Sequence, residues 1–558
     1  MLDFPQNGHE REIRLESYEH YRKRIEETGA CPEDWYILGI DLGTTNSVMS
    51  YWDTAANRPE PIDVSNGFGK IPLPSVVQYR SDEQDGEWVI GEEAYRSMKI
   101  YPESTVRSVK RAMGTQEKVR LGGRDYLPEE VSAKILGELV SHAQGLNPKA
   151  EIAGVVVSVP YDFDDAAGKA TKRACELAGL ADKLICLIKE PNAAALQYNF
   201  RNQLAEGERI MVFDFGGGTL DITLFHVAER SDSKIRLQVI SQGGEAFHGG
   251  DDIDKFLFGA CENFIKNKTG QDASALSIEN QVELAQRARE AKERLSGVQR
   301  FRIPFTFCIP PFVEQITREE FQMLIRPFID KTRRLVQKAL REAYTGSLLP
   351  EDISRVLLEG GSSQMPWVRE MLLDIFGDES KIYSSERPAL DISLGATYYA
   401  AMKMGLLQHP ELDSEKISVE FEVTVSHDIG LELTGAAGKK QFFPMIRRGT
   451  SYALAKKSHV FTLSGDTPDE MTSFQLKILE RINQDDPYEA CRLIGEVSIK
   501  GLPERPSKKT KLRITLMVEE DGGTVRGMVE DAGLGDEYPS SGFREVFDPE
   551  RFRTTELG

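Results

Sequence analysis

Two stretches of the chain place a carboxylate and a run of small residues at the end of an apolar segment. In Met211 to Phe225, MVFDFGGGTLDITLF, the apolar run reaches Asp214, turns through Gly216, Gly217 and Gly218, and resumes at Thr219. In Tyr36 to Trp52, YILGIDLGTTNSVMSYW, the order repeats with Asp41, Gly43, Thr44, Thr45 and Asn46. Glycines carry no Cβ to hold a ligand away, so the backbone N–H groups of such a turn can close around phosphate oxygens. A carboxylate beside phosphate calls for a cation between them, and Mg²⁺, often keeping its waters, suits Asp41 and Asp214. One such hairpin alone reads equally well as a tight turn between buried strands. Two facing copies describe a clamp for a nucleoside triphosphate with its metal.

The elements that must position this clamp extend well beyond it. At 558 residues the chain should hold more than one domain, since single cores seldom grow past roughly 250–300 residues. From Tyr36 to about Leu407, helical patterns (Ala167–Ala178, Asn280–Leu295, Arg318–Tyr344, Val368–Phe376) alternate with strand-like runs (Ile152–Val159, Ile210–Phe213, Val356–Leu358). That is an α/β domain, 37–407, in which each hairpin heads one half and the ligand cleft lies between them. The segment 245–325 reads as a partly helical insertion. Ahead of it, residues 1–36 carry Leu15, Tyr18, Arg22 and Ile25 at helical spacing with Gly29 as the stop, a helix expected to pack on the domain.

Residues 408–420 are a polar, acidic linker. Beyond it, short alternating runs (Phe421–Val425, Gly430–Leu433, His459–Leu463, Thr472–Ile478, Ile494–Ile499, Lys511–Val518, Thr524–Val529) separated by turns such as Thr434-Gly435, Ser464-Gly465 and Asp521-Gly522-Gly523 read as an all-β sandwich over 421–535. Residues 536–558 are polar and expected to form a loose tail.

Composition excludes several classes. Against 89 Asp and Glu stand 69 Lys and Arg, a formal net charge of −20, which argues against nonspecific nucleic-acid or anionic-membrane binding. The six cysteines show no CxxC or Cys/His spacing, so a reducing compartment and no structural zinc are expected. With neither a secretory signal pattern nor a run near 18 apolar residues, a cytoplasmic protein is the expectation.

With both hairpins aligned the chain strongly resembles the DnaK-type 70-kDa heat-shock chaperones. The resemblance rests on IDLGTTNS (40–47), VKRAMG (109–114), VVVSVPYDFDDAAGKATKRACELAGL (155–180), KEPNAAALQY (189–198), FDFGGGTLDIT (213–223), GGDDID (249–254), AKERLS (291–296), EGGSSQMPWV (359–368) and SLGATYYAA (393–401). It is dense over 37–405 and weaker over 421–530, where IGLEL (429–433), PMIRRGTSYA and IGEVSIKGLP carry it. It implies an actin-like ATPase domain followed by a peptide-binding β-sandwich, with ATP/ADP and Mg²⁺ as cofactors. By the same resemblance Gly43, Thr44, Thr45 and Asn46 form one phosphate loop, and Gly216, Gly217, Gly218 and Thr219 the other. Asp41 and Asp214 hold the metal through water, with Lys110, Glu190, Asp214 and Thr219 as the catalytic group. Gly249 and Gly250 belong to the cofactor site, while Lys292 and Ser296 contact adenosine opposite Gly360, Gly361 and Ser362. Implied partners are unfolded or extended polypeptide clients, with a J-domain protein and a nucleotide-exchange factor as helpers.

The chain also departs from that pattern. The linker LDSEKISVEFEV (412–423) lacks the family's leucine run. Pro160 stands at the switch proline, but its usual basic partner aligns with Gly168, beside Lys169. On the adenine side Gln364 replaces an Arg, Arg289 a Glu and Ala389 an Asp. The family's helical lid would follow the sandwich, and the sequence ends at Gly558, so weak, fast-exchanging client binding is expected. The competing expectations are a nucleotide-dependent adaptor or scaffold for one partner and, third, a small-molecule kinase on the same fold.

Overall fold

A computed structural model describes residues 17–64, 72–81, 86–231, 233–344, 346–407 and 417–547, less 423–424, 426, 435–438, 466, 468–470, 483–485 and 519–524. Two mixed sheets share one connectivity. In the first, the antiparallel strands Arg58–Pro61, Asn46–Asp53 and Trp35–Asp41 lead into the parallel strands Glu151–Val159 and Leu184–Lys189. In the second, Lys234–Ala246, Thr219–Arg230 and Arg209–Phe215 lead in the same order into Arg355–Glu359 and Ile382–Tyr383. The duplicated unit is therefore a hairpin plus its parallel neighbours. Its strands read as nearly unbroken apolar runs because both faces of each sheet are covered.

Helices Glu190–Asn202 and Asp391–Lys403 lie between the sheets, and the second is buried on most of its positions. Small residues let them close up. A Cβ on Gly395 would stand 1.9 Å from the Ala193 carbonyl oxygen, and one on Gly39 would stand 2.3 Å from the Thr397 nitrogen. The two halves thus share a backbone-to-backbone seam beneath the cleft.

The N-terminal helix runs Tyr18–Thr28 and stops at Gly29, whose φ of 70° is the left-handed cap. Tyr21 and Ile25 are buried beside Trp35, Ile37 and Ala153, and the Tyr21 hydroxyl donates to Glu151 Oε2 at 3.0 Å. Leu15 lies outside the described residues. The 245–325 segment contains helices Gly250–Thr269 and Ile278–Gly297 and the strand pair Arg300–Phe305 and Phe312–Thr317. The single helix expected over Arg318–Tyr344 is two, Arg318–Leu324 and Arg326–Arg341. Pro327 offers no N–H to continue the first helix, whereas it suits the first turn of the second.

Two expectations at the sandwich need correction. The strand Ser418–Glu422 pairs in parallel with Lys234–Gln238 as the sixth strand of the second sheet, so the expected boundary at 421 falls inside it and Phe421–Val425 is not a sandwich strand. The cause is its alternation: Val419 is buried and Phe421 packs on Phe225 and Tyr399, while Glu420 and Glu422 pair with Lys234 and Arg236. Linker residues 408–416 lie outside the described residues, as do Gly435 and Asp521-Gly522-Gly523 of the expected turns. The sandwich proper stacks Lys440–Ile446, Asp428–Thr434, Ser473–Arg481 and Arg492–Lys500 against Lys456–Leu463, Thr510–Val518, Val525–Asp531 and Arg544–Phe547. Its core includes Leu431, Ile446, Ile478, Val497, Ile499, Leu516 and Val529.

The second correction concerns the tail expected to be loose from 536. Arg544–Phe547 instead closes back on Val525–Asp531 as an edge strand. Asp531 holds the return: Arg505 donates to its two oxygens at 3.0 and 2.8 Å, and the Gly533 and Ser541 nitrogens donate at 3.0 and 2.8 Å. Residues 548–558 of the expected tail lie outside the described residues. Among the described residues no helix is long and apolar enough to cross a membrane.

Candidate nucleotide site

The hairpin tips meet across the cleft. Ser75 ties the first turn down, its hydroxyl donating to the Gly43 carbonyl at 2.7 Å and its N–H to the Thr45 carbonyl at 2.8 Å. A Cβ on Gly217 would lie 1.7 Å from Thr45 Oγ1, and one on Gly218 would lie 2.6 Å from Thr44 Oγ1. Only glycine permits this approach.

The second turn is also oriented from behind. Its Gly216 carbonyl accepts from the Gly250 N–H at 3.0 Å and its Gly217 carbonyl from the Asp251 N–H at 2.8 Å, both at the start of helix Gly250–Thr269. In a planar trans peptide the N–H points opposite to its own C=O. The N–H groups of Gly217 and Gly218 therefore point away from that helix. Arg111 completes the bracing, donating through Nη2 to the Gly218 carbonyl at 2.7 Å and to Asp252 Oδ2 at 2.8 Å. Gly249 and Gly250 stand behind the turn rather than on the cavity wall; a Cβ on Gly249 would meet the Gly217 oxygen at 2.4 Å.

Between the tips lies a cavity of about 340 Å³, within the ordinary range for small-molecule sites. It is lined by Asp41, Gly43 to Asn46, Lys110, Glu190, Asp214, Gly216 to Thr219, Lys292, Ser296 and Gly360 to Ser362. All the expected site residues except Gly249 and Gly250 are thus brought together. Val48, Asp251, Glu293, Met365, Pro388 and Ile392, together with the divergent Arg289, Gln364 and Ala389, complete the wall.

The floor of the cavity is acidic around one cation. Lys110 Nζ stands 2.5 Å from Glu190 Oε1, with both side chains 7% exposed. Burial alone would lower the Lys110 pKa, but Glu190, Asp41 and Asp214 outweigh it and raise it. Asp41, accepting from Ser158 Oγ at 2.9 Å, is pushed up to about 6 by burial and by Glu190. Burial and the charges of Glu190 and Asp41 raise Asp214 well above the usual carboxylate range. Deeper still, Glu359 is raised by burial and by Asp391, Asp214 and Asp41, and its Oε2 has no hydrogen-bond partner. The Thr219 hydroxyl donates to Asp221 at 2.9 Å. Such an excess of buried carboxylate beside outward N–H groups fits a site built for phosphate oxygens with a divalent cation. Among the described residues no three acids, histidines or cysteines stand close enough to ligate a metal by themselves.

At the wall expected to contact adenosine, Lys292 is committed to the protein, 2.7 Å from Asp254 Oδ1 and donating to the Gly250 carbonyl at 2.9 Å. Gly360, with φ 75°, sits where a Cβ would strike the Phe215 oxygen at 2.5 Å and Asp214 Oδ1 at 2.8 Å.

A basic residue other than the expected one reaches Pro160. Nothing lies within 4 Å of where a Gly168 Cβ would be. Lys189, partly buried one residue before Glu190, donates through Nζ to the carbonyls of Pro160, Tyr161 and Phe163 at 3.3, 3.1 and 3.1 Å. Burial lowers its pKa to about 8. Arg111, Glu359, Lys189 and Glu293 were not marked as site residues from sequence. Arg111 and Lys189 each adjoin a residue that was, and Glu293 lies inside AKERLS.

Paired lobes that close two acid-and-glycine hairpins over one cavity, followed by a β-sandwich, define an actin-like nucleotide-cleft protein with an appended β-domain. The family model described as Hsp70 protein matches residues 37–531. Chaperone protein DnaK of Thermotoga petrophila is 31% identical over 516 residues, 90% of this chain and 79% of that protein. That of Thermosipho africanus is 31% identical over 514 residues, with the same coverage. The chain belongs to the Hsp70 family of chaperones.

Proposed function

We propose that this chain binds ATP with Mg²⁺ between the two hairpins, hydrolyses it slowly, and uses its β-sandwich to hold extended apolar segments of client polypeptides. The observation that carries the ATPase is the Lys110–Glu190 contact set between the two glycine-bearing turns and flanked by Asp41 and Asp214. Mg²⁺, when bound, neutralises phosphate charge. The chain's own part is positional: the turns fix the phosphate chain, Lys110 supplies a point charge, and Glu190 orients the attacking water. Asp41 and Asp214 act on the metal through its waters, and Ser296 faces the adenosine.

The client site is the outer edge of Lys456–Leu463, which among the described residues pairs on one side only, with Thr510–Val518. Beside it Phe443, His459 and Phe461 form a ring cluster with centroids 4.8–5.2 Å apart. An added strand gains main-chain hydrogen bonds there, and the rings supply an apolar pocket.

The two activities communicate through docking. The Ser418–Glu422 strand extends the ATPase sheet, Arg448 donates to the Gln242 carbonyl, and Arg492 pairs with Asp164. Asp164 closes the segment whose carbonyls Lys189 holds beside Glu190, so moving the sandwich alters the setting of Glu190. J-domain and nucleotide-exchange helpers fit this scheme.

The alternative is an adaptor for one fixed partner. Steady-state ATPase measured with a panel of unrelated unfolded peptides separates them. Stimulation by most of the panel supports the chaperone; a response to one protein or to none supports the adaptor.

A further inference from the structure

The strand Lys456–Leu463 alternates between two faces, set by its antiparallel register with Thr510–Val518. Lys457, His459 and Phe461 stand opposite the buried Leu516, Ile514 and Leu512, on the inner face, where Phe443 of the other sheet meets the His459 and Phe461 rings. Lys456, Ser458, Val460 and Thr462 lie on the outer face, opposite Met517, Thr515, Arg513 and Lys511. Four cations thus gather along this edge: Lys456 and Lys457 on the strand itself, Lys511 and Arg513 on its neighbour. Lys456, Lys457 and Arg513 are exposed, and Lys511 leans onto the edge strand, its Nζ donating to Thr462 Oγ1 at 2.6 Å. Among the described residues none of the four has a carboxylate partner; Glu530, opposite Arg513 on the far side, is 3.8 Å from Arg544. In a chain whose formal net charge is −20, unpaired cations gathered along one strand edge are a local reversal of sign.

Resting on the client reading above, we propose that the outer edge of Lys456–Leu463 selects extended client segments in which acidic residues alternate with apolar ones. A strand added along the edge has the same period of two. Every second side chain therefore enters the ring cluster, and the intervening ones lie beside Lys456, Val460 and Thr462. Carboxylates at the intervening positions meet Lys456 directly, while Arg513 and Lys511 stand behind the short side chains of Val460 and Thr462. Opposite charges on neighbouring strands stabilise the pairing and like charges oppose it. Lysine on an edge strand also guards against pairing with another copy, but that role needs charge on the edge alone, and Lys511 and Arg513 belong to the neighbouring strand. The negative field of the whole chain repels an acidic segment, so a preference for one arises locally, at these cations.

The test is fluorescence anisotropy of three labelled peptides with the full chain, each peptide carrying valine or leucine at alternate positions and glutamate, glutamine or lysine between them. The glutamate peptide is expected to bind about tenfold tighter than the glutamine peptide, and the lysine peptide weakest. These differences should collapse at high salt. Lys456→Glu combined with Arg513→Glu is expected to reverse the order of the glutamate and lysine peptides. Thermal unfolding identifies a variant that has lost its fold, in which case the milder Lys456→Gln with Arg513→Gln decides, expected to hold the glutamate and glutamine peptides alike. A wild-type chain that binds the glutamate peptide no tighter than the glutamine one overturns the proposal, as does the wild-type order retained in the folded variant. A wild-type chain that takes up none of the three peptides sinks the client reading itself, a distinct outcome.

Discussion

Replacing Gly218 by alanine tests how closely the two hairpin tips are held together. The new Cβ would lie 2.6 Å from Thr44 Oγ1, 2.7 Å from Cγ2 and 2.9 Å from Cβ. Every heavy atom of the threonine side chain is thus too close, and no rotamer of Thr44 relieves the contact. The tips must part by about 0.8 Å to reach ordinary van der Waals distance, a misplacement of the order that costs ~100-fold in rate when reacting groups are held by geometry. That corresponds to about 2.7 kcal/mol in the barrier. Overpacking adds ~1–3 kcal/mol against folding, which a two-lobed domain of this size tolerates. The assay is single-turnover ATP hydrolysis on nucleotide-loaded protein, with binding measured separately by calorimetry. Gly218→Ala combined with Thr44→Gly removes all three contacts and should recover at least tenfold of the loss. Hydrolysis by Gly218→Ala within threefold of wild type would show that the tips are not held in register as the structure has them, and would refute the clamp.

Lys110→Ala should still bind ATP yet hydrolyse it ~100-fold more slowly, since one preorganised charge facing the transition state is removed; unchanged single-turnover hydrolysis would sink the assignment. In metal-free protein, Mg²⁺ binding followed by calorimetry should weaken as pH falls through about 6, where Asp41 takes up a proton. In the sandwich, burial alone would raise Asp531, but the hydrogen bonds from Arg505, Ser541 and Gly533 bring it down to about 2. Its folded pKa lies below its unfolded value near 3.9. Its contribution is therefore complete above about pH 4 and lost as pH falls toward 2. Asp531→Asn should cost about 3 kcal/mol by leaving Arg505 buried without its charge partner, read as lost amide protection over Arg544–Phe547. Retained protection would mean that Asp531 does not hold the return strand.

The clamp was legible because its chemistry is local. Asp, the glycines and the threonines lie within a few residues of one another, and a hairpin brings them together whatever the rest of the chain does. Continuous apolar runs likewise announced the covered sheets. The β-strand Ser418–Glu422 was misassigned because alternation shows that a strand has one buried face without showing which sheet supplies the neighbour. Val419 and Phe421 would have served the sandwich equally well, and Lys234 and Arg236, which match Glu420 and Glu422, lie far upstream. The 536–547 segment looked loose since it is polar. Its order comes from Arg505 and Asp531, a buried ion pair assembled from separate turns.

Sequence by itself determined the duplicated hairpins, the carboxylate at each strand end, and the family to which the chain belongs. Only the tertiary structure decided that the Gly217 and Gly218 N–H groups point away from helix Gly250–Thr269, because that direction is set by carbonyls bonded to it. The same holds for Lys189, which reaches the Pro160 carbonyl from a neighbouring strand, and for Arg289, whose guanidinium lies over the Tyr95 ring of the other lobe. These contacts join residues 26 to almost 200 positions apart. No local pattern encodes them, since they exist only once the sheets have packed and brought distant backbones into register.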